Sequence, residues 1–262
     1  MAKLSPGLLL ADPKQQFSIY TMKGCDKLIL RRKGGASKKR IQKDPAFKNT
    51  RLNNAEFGGR ATASKWIRKM LQPVKFIADY NFTGPLNSLL KPIQELDTVH
   101  DYGERSIAIS ANPGLLEGLN LNRKTPFETI VQNPLHYTLS KKKLQASIEL
   151  PALLPGVNFT PGNFSLYRFI VSLGIIPDLF YNSYRYFPKG NYADIEAEMA
   201  FTRWFSTQTG SPAARLTLQL PDKLPNNAYS IMLATGIAFG TLRNGEEEPL
   251  HYVGGAKILA MA

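Results

Sequence analysis

The stretch "ARLTLQLP", Ala214–Pro221, alternates apolar and polar residues without a break. Successive side chains of a strand point to opposite faces, so Leu216, Leu218 and Leu220 share one face and Arg215, Thr217 and Gln219 the other. One buried face and one wet face is the pattern of an antiparallel sheet. Working outward, further runs of β character begin after Arg105: Ser106–Ser110, Ala146–Leu150, Leu166–Leu173, Glu198–Phe205, Tyr229–Ala238 and Tyr252–Ala260. Turn residues and prolines separate them at regular intervals, which favours a sandwich or jelly-roll-like barrel over alternating strands and helices. "RNGEEEP" joins the last two runs, and its Asn244-Gly245 supplies the positive φ of a tight hairpin.

The residues before Arg105 read differently. Phe17–Met22 and Leu28–Arg32 are short β runs around Lys23-Gly24-Cys25-Asp26, an N-terminal hairpin. Ser37 caps a short helical turn over Lys38–Lys43, and Asp44-Pro45 restarts a helix with an N-cap acid and a proline at its first position. Gly58-Gly59 is expected to interrupt that helix. Beyond it Ala63, Trp66, Ile67, Met70 and Leu71 recur on one helical face, with Lys65, Arg68 and Lys69 opposite and Pro73 at the end. Residues 86–98 suggest another helix, broken at Pro92. The predicted fold is therefore α+β: a C-terminal antiparallel β-sandwich, residues 105–262, preceded by a basic hairpin and helical arm region, residues 1–104.

Charge is the most informative part of the composition. The chain of 262 residues carries a formal net charge of +13. Between Lys23 and Lys75 sixteen Lys or Arg face three acids, so all of the excess lies in that segment. A general basic bias would have spread it. The single cysteine, Cys25, excludes a disulfide framework or thiolate cluster within one chain. The apolar run Leu8–Ala11 is stopped by Asp12-Pro13, far short of a secretory signal or of the about 20 residues a spanning helix needs. A soluble chain without a cleaved leader, in the cytoplasm, is expected.

Chemistry-bearing motifs are sparse. No Walker, dinucleotide-binding, GxSxG or HExxH pattern occurs. His100, His136 and His251 are scattered. Asp97, His100, Asp101 and Glu104 have the spacing of one helix face, as metal ligands sometimes do, but Gly103 marks the end of a helix, and a capped, solvated terminus is the simpler reading. Glu246-Glu247-Glu248 is a hydrated turn rather than a carboxylate pair, because general acid–base work needs one positioned group. The aromatics of residues 167–192 would form a carbohydrate or protein platform if exposed on one face, but more often such residues fill a core, and "FYNSYRYFPKGNYAD" reads as a packed loop or an interface. No catalytic residue, metal or cofactor is expected, and the protein reads as no enzyme.

Three explanations compete for the basic segment. A self-associating structural protein, forming a filament or shell, would use it as an arm that touches a neighbouring copy or an enclosed polyanion. A non-specific nucleic-acid binder would use it to neutralise phosphates, with Trp66 and Phe57 available to stack, although Trp66 sits on the apolar stripe. A solvated face is the third. Assembly leads, nucleic acid is the alternative, and no membrane span is expected. The contact residues are Arg31, Arg32, Lys33, Lys38, Lys39, Arg40, Arg51, Arg60, Lys65, Arg68 and Lys69, with Gly34-Gly35 and Gly58-Gly59 as bends.

The words "KGG" at Lys33–Gly35 and "FKNTRLNNAEFGGRA" at Phe47–Ala61, with the C-terminal "ATGIAFGTLRNGEEEPL", carry a resemblance to a family of uncharacterised bacterial proteins. It implies no activity, ligand or substrate. It implies only that Phe47, Thr50, Arg51, Asn53, Asn54, Glu56 and Phe57 belong to a recurring module.

Overall fold

The computed structural model describes residues 2–4, 17–22, 25–32, 34–221 and 224–262. The chain divides into two units, Met1–Arg51 and Leu52–Ala262. The physical reason is visible in the core: helical residues between Ala63 and Ile93 pack in the same cluster as strand residues between Ile170 and Met261.

In the first unit β1 (Ala2–Leu4), β2 (Phe17–Met22) and β3 (Cys25–Arg32) form an antiparallel sheet in the order β1-β3-β2. The expected hairpin is present, while its turn residues Lys23 and Gly24, like the candidate contact Lys33, lie outside the described residues. Helix α1 (Lys38–Lys43) begins at Ser37, whose hydroxyl accepts from the Arg40 N–H at 3.2 Å. Asp44 caps the 3₁₀ turn Pro45–Phe47, accepting from the Ala46 N–H at 3.0 Å.

Helix α2 (Lys48–Met70) runs unbroken through Gly58-Gly59, against expectation. Two glycines inside a helix cost about 1 kcal/mol each. Full burial of Ile67 and Met70, with Ala63 on the same face, contributes about 2 kcal/mol per large side chain. Docking of one face therefore outweighs the poor propensity. Pro73 falls at the start of the short α3 (Gln72–Lys75), followed by α4 (Thr83–Glu95), which carries Pro92 without ending there. Next come 3₁₀ turns at Ile109–Ala111 and Pro113–Leu116 and the short α5 (Phe127–Ile130).

The strands of the second unit are β4 (His136–Ser140), β5 (Gln145–Leu150), β6 (Leu166–Pro177), β7 (Leu179–Tyr181), β8 (Tyr186–Pro188), β9 (Glu198–Phe201), β10 (Phe205–Ser206), β11 (Ala214–Gln219), β12 (Tyr229–Arg243) and β13 (Glu246–Met261). A main sheet has the order β10-β6-β12-β13, with β9 also on β6; a smaller one has the order β11-β5-β4; β7 and β8 form a hairpin. All named strand pairs are antiparallel, so the mixed α+β class holds.

Both faces of the main sheet are covered. Ile170, Met232, Ala234 and Ile258 pack with the helices; Phe169, Val171, Leu173, Ile231 and Leu233 pack with Ala146, Ile148, Leu150 and Leu218 of the smaller sheet. This explains why β6 and β12 read as continuous apolar runs while β11 alternates. Helix α2 ends tightly on the sheet: Ser172 Oγ donates to the Met70 carbonyl at 2.8 Å, and a Cβ at Gly174 would lie 2.5 Å from that of Met70.

Two expected strands differ. Ser106–Ser110 forms one bridge, Ile107 to Leu179, and then a 3₁₀ turn, because Ser110 turns its N–H and hydroxyl onto the Asp178 carboxylate. Glu198–Phe205 splits into β9 and β10, because the Thr202 side chain accepts the Phe169 N–H at 3.1 Å, and the Thr202 N–H bonds the Phe169 carbonyl at the same distance. The hairpin at Asn244-Gly245 forms as expected, with φ of 54° and 84°.

Candidate functional site

The candidate cations fall into two groups by unit. In the first, Arg31 and Arg32 project from β3, and Lys38, Lys39 and Arg40 from α1, all exposed. Arg40 pairs with Asp44 at 3.1 Å. Arg51 is turned inward and donates to the carbonyls of Ile41 and Asp44 at 2.8 and 2.9 Å, bracing the bend after α1.

In the second unit, most of the basic face of α2 is engaged by the chain itself. Arg60 donates to Gln94 Oε1 at 2.9 Å and lies 3.9 Å from Glu56. Lys69 Nζ donates to the carbonyls of Ala193 and Ile195 at 2.6 and 2.9 Å and pairs with Glu196 at 2.8 Å. Arg68 approaches the Ser64 carbonyl at 3.4 Å. Lys65 is exposed. Of the four candidate cations Arg60, Lys65, Arg68 and Lys69, Lys65 is thus the one best placed to meet something outside the chain.

What holds this face is an ion pair that charge counting missed. Glu56 is only 3% exposed, and Arg105 grips it with two hydrogen bonds, 2.6 and 2.7 Å, while the Gly103 N–H adds a third at 3.1 Å. Burial pushes the Glu56 carboxyl up, but the Arg105 guanidinium and the Gly103 N–H outweigh it and hold the group below its ordinary value. Two residues of the resembling module are therefore structural anchors, Arg51 and Glu56. Asn53 accepts from the Tyr102 hydroxyl, and Phe57 is exposed beneath the Arg60 guanidinium.

Between α2 and the β7–β8 hairpin lies a cleft of about 500 Å³. Lys65, Trp66 and Lys69 line it from the helix, and Arg185, Tyr186 and Phe187 from the hairpin. The hairpin approaches because Gly59 has no side chain: a Cβ there would lie 2.8 Å from the Tyr186 ring. The Tyr186 hydroxyl is tied inward, accepting from Gln94 Nε2 at 3.1 Å and donating to the Arg105 carbonyl at 3.0 Å. Burial, reinforced by the nearby Glu56 charge, pushes its pKa up to about 12. Sequence reasoning placed Tyr186 among packing aromatics. Its pairing with Gly59 has no local signal, since 127 residues separate them.

A second cleft, about 310 Å³, adjoins Asp97, His100 and Ser106. Asp97 Oδ2 lies 2.7 Å from His100 Nδ1, and Ser106 Oγ lies 3.4 Å from the same nitrogen. A nucleophile relay needs hydroxyl and carboxylate on opposite ring nitrogens, so this geometry is not one. Asp97 instead caps the loop after α4, accepting the N–H groups of Val99, His100 and Ser106 at 3.0, 3.2 and 2.6 Å. Burial opposes its ionisation, but these donors hold its carboxyl well below the usual range. Since α4 ends at Glu95, the face of Asp97, His100, Asp101 and Glu104 does not form. Among the described residues no group of three or more His, Cys, Asp or Glu is placed to hold a metal ion, and no helix is long and apolar enough to cross a membrane.

Compared with family models, curated proteins and solved structures, the chain matches none.

Proposed function

We propose that the protein is a non-enzymatic structural protein whose N-terminal unit associates with a second copy of the chain, building a filament or shell. The observation that carries this reading is the exposure of β2. Ile19 and Met22 of this strand are 46 and 54% exposed. A small three-stranded sheet with such apolar side chains exposed gains little from its own burial and calls for cover. The unit also holds thirteen Lys or Arg against three acids, so ten of the thirteen net charges lie there. Phosphate neutralisation would account for the exposed Arg31, Arg32, Lys38 and Lys39, and it gives the second reading, non-specific nucleic-acid binding. It leaves the apolar side chains of β2 unexplained, and for that reason assembly is preferred.

The same reading takes the two stacked sheets of residues 105–262 as a β-sandwich of jelly-roll type, and the Lys33–Gly35 and Phe47–Ala61 words as kinship with the bacterial family they resemble.

Light scattering on a sizing column, with absorbance at 260 and 280 nm, tests the proposal on protein purified without nuclease. A particle well above the 29.2 kDa chain, with a protein-like absorbance ratio, is expected, and Ile19→Ser with Met22→Ser should return it to the monomer. A nucleic-acid ratio that disappears in high salt favours the second reading. A clean monomer overturns both.

A further inference from the structure

We propose that the cleft between α2 and the β7–β8 hairpin binds a small planar aromatic ring carrying an anionic group. The volume, about 500 Å³, falls within the range of small-molecule sites. Trp66, Tyr186 and Phe187 bring three aromatic side chains to its lining. Two of its members are fixed before any ligand arrives: Tyr186 through its hydroxyl bonds to Gln94 and the Arg105 carbonyl, and Lys69 through its two carbonyls and Glu196. Such fixation lowers the ordering cost of binding.

Charge then selects the ligand. Glu196 is already paired with Lys69, and among the described residues neither Lys65 nor Arg185 has an ion-pair partner. Both are exposed at the cleft, so two unpaired cations flank an aromatic floor. A neutral ring would leave them with water alone. An aliphatic anion would forgo the rings, whose stacking on a flat ligand adds to area burial. A ring bearing a carboxylate or a phosphate uses both, with the guanidinium of Arg185 suited to two-pronged contact with either. All of these residues belong to the second unit, so the inference stands apart from the proposed association of the N-terminal unit.

Isothermal titration calorimetry on the full chain tests it with 2-naphthoate and with adenosine monophosphate, which separate an aryl carboxylate from a nucleoside phosphate. Cyclohexanecarboxylate supplies the charge without the ring, and 2-naphthalenemethanol the ring without the charge. Saturable binding of one aromatic anion is expected, weakened about fivefold in Lys65→Gln and again in Arg185→Gln, and weakened by added salt. Both substitutions are at exposed side chains, and unchanged melting curves would show that the fold is kept. Binding of the neutral ring as tight as that of the anion, affinity unmoved by both substitutions, or no binding of either aromatic anion would overturn the proposal.

Discussion

Glu56 and Arg105, 49 residues apart, meet in a two-pronged pair whose side chains are 3% and 16% exposed. The pair fastens the middle of α2 to the loop that follows α4. Both ends of that loop are then fixed, one by Arg105 and the other by Asp97, and Tyr186 is anchored on the Arg105 carbonyl between the helices.

Replacing Glu56 with Gln should therefore be costly. It leaves a buried guanidinium without its counter-charge, a change worth about 3 kcal/mol, or about 8 °C in Tm for a unit of this size. The pH dependence has a definite sign. The folded carboxyl ionises below its ordinary value of 4.5, so the unfolded chain binds the proton first as pH falls. Its stabilisation is complete above that pH and fades below it. Urea unfolding across pH 3–6 should show a shallower acid loss in Glu56→Gln than in the wild type. Equal slopes would mean that Glu56 is not the titrating anchor.

The two adjacent glycines of α2 should respond to alanine with opposite signs. At Gly58 a Cβ meets nothing within 4 Å, so Gly58→Ala gains the helix-propensity difference, up to about 1 kcal/mol. At Gly59 the same Cβ drives into the Tyr186 ring, which its hydroxyl bonds keep from swinging away. Overpacking of this kind costs about 1–3 kcal/mol and exceeds the propensity gain, so Gly59→Ala should destabilise. Melting temperatures of the two variants decide it, and a stabilised Gly59→Ala would show that the hairpin is free to move.

These glycines also mark where the sequence stopped being legible. Local patterns carried far: alternation in Ala214–Pro221 located β11, the stripe through Ala63 and Ile67 located the buried face of α2, and Ser37 and Asp44 announced their caps. What failed was tertiary. Gly58-Gly59 reads as a break because propensity sees only the cost, while the Tyr186 ring that fills the gap comes from residue 186. Thr202 and Asp178 each divert a predicted strand by a side-chain bond made across the fold. The candidate site suffered the same way. Counting charge cannot tell Lys65, which is exposed, from Lys69, which is bound to backbone carbonyls of a distant loop.

The hairpin at the end of the chain offers a local test. Gly245 sits at φ 84° with open space around it, so a side chain would meet backbone strain and no clash. Gly245→Ala should cost about 1 kcal/mol, and Gly245→Asn clearly less, because asparagine tolerates the left-handed region. Chemical denaturation of both variants gives the comparison. Equal losses would point to packing rather than backbone conformation.

Tyr186 should make the fold sensitive to alkali. Its hydroxyl is buried and its pKa raised from 10.0 to about 12, so the folded chain keeps the proton where the unfolded chain releases it. The contribution is complete below pH 10 and disappears as pH rises through about 12. Tyr186→Phe removes this dependence. It also removes the hydroxyl's bonds to the Gln94 amide and the Arg105 carbonyl, which keep each other as partners at 3.1 Å, so the cost at neutral pH is about 1 kcal/mol. The two effects separate cleanly in unfolding measured at pH 7 and at pH 10.5–11.5: the variant should start less stable and then lose less. A variant that falls in parallel with the wild type would place the alkaline titration elsewhere and remove Tyr186 as the fixed floor of the cleft.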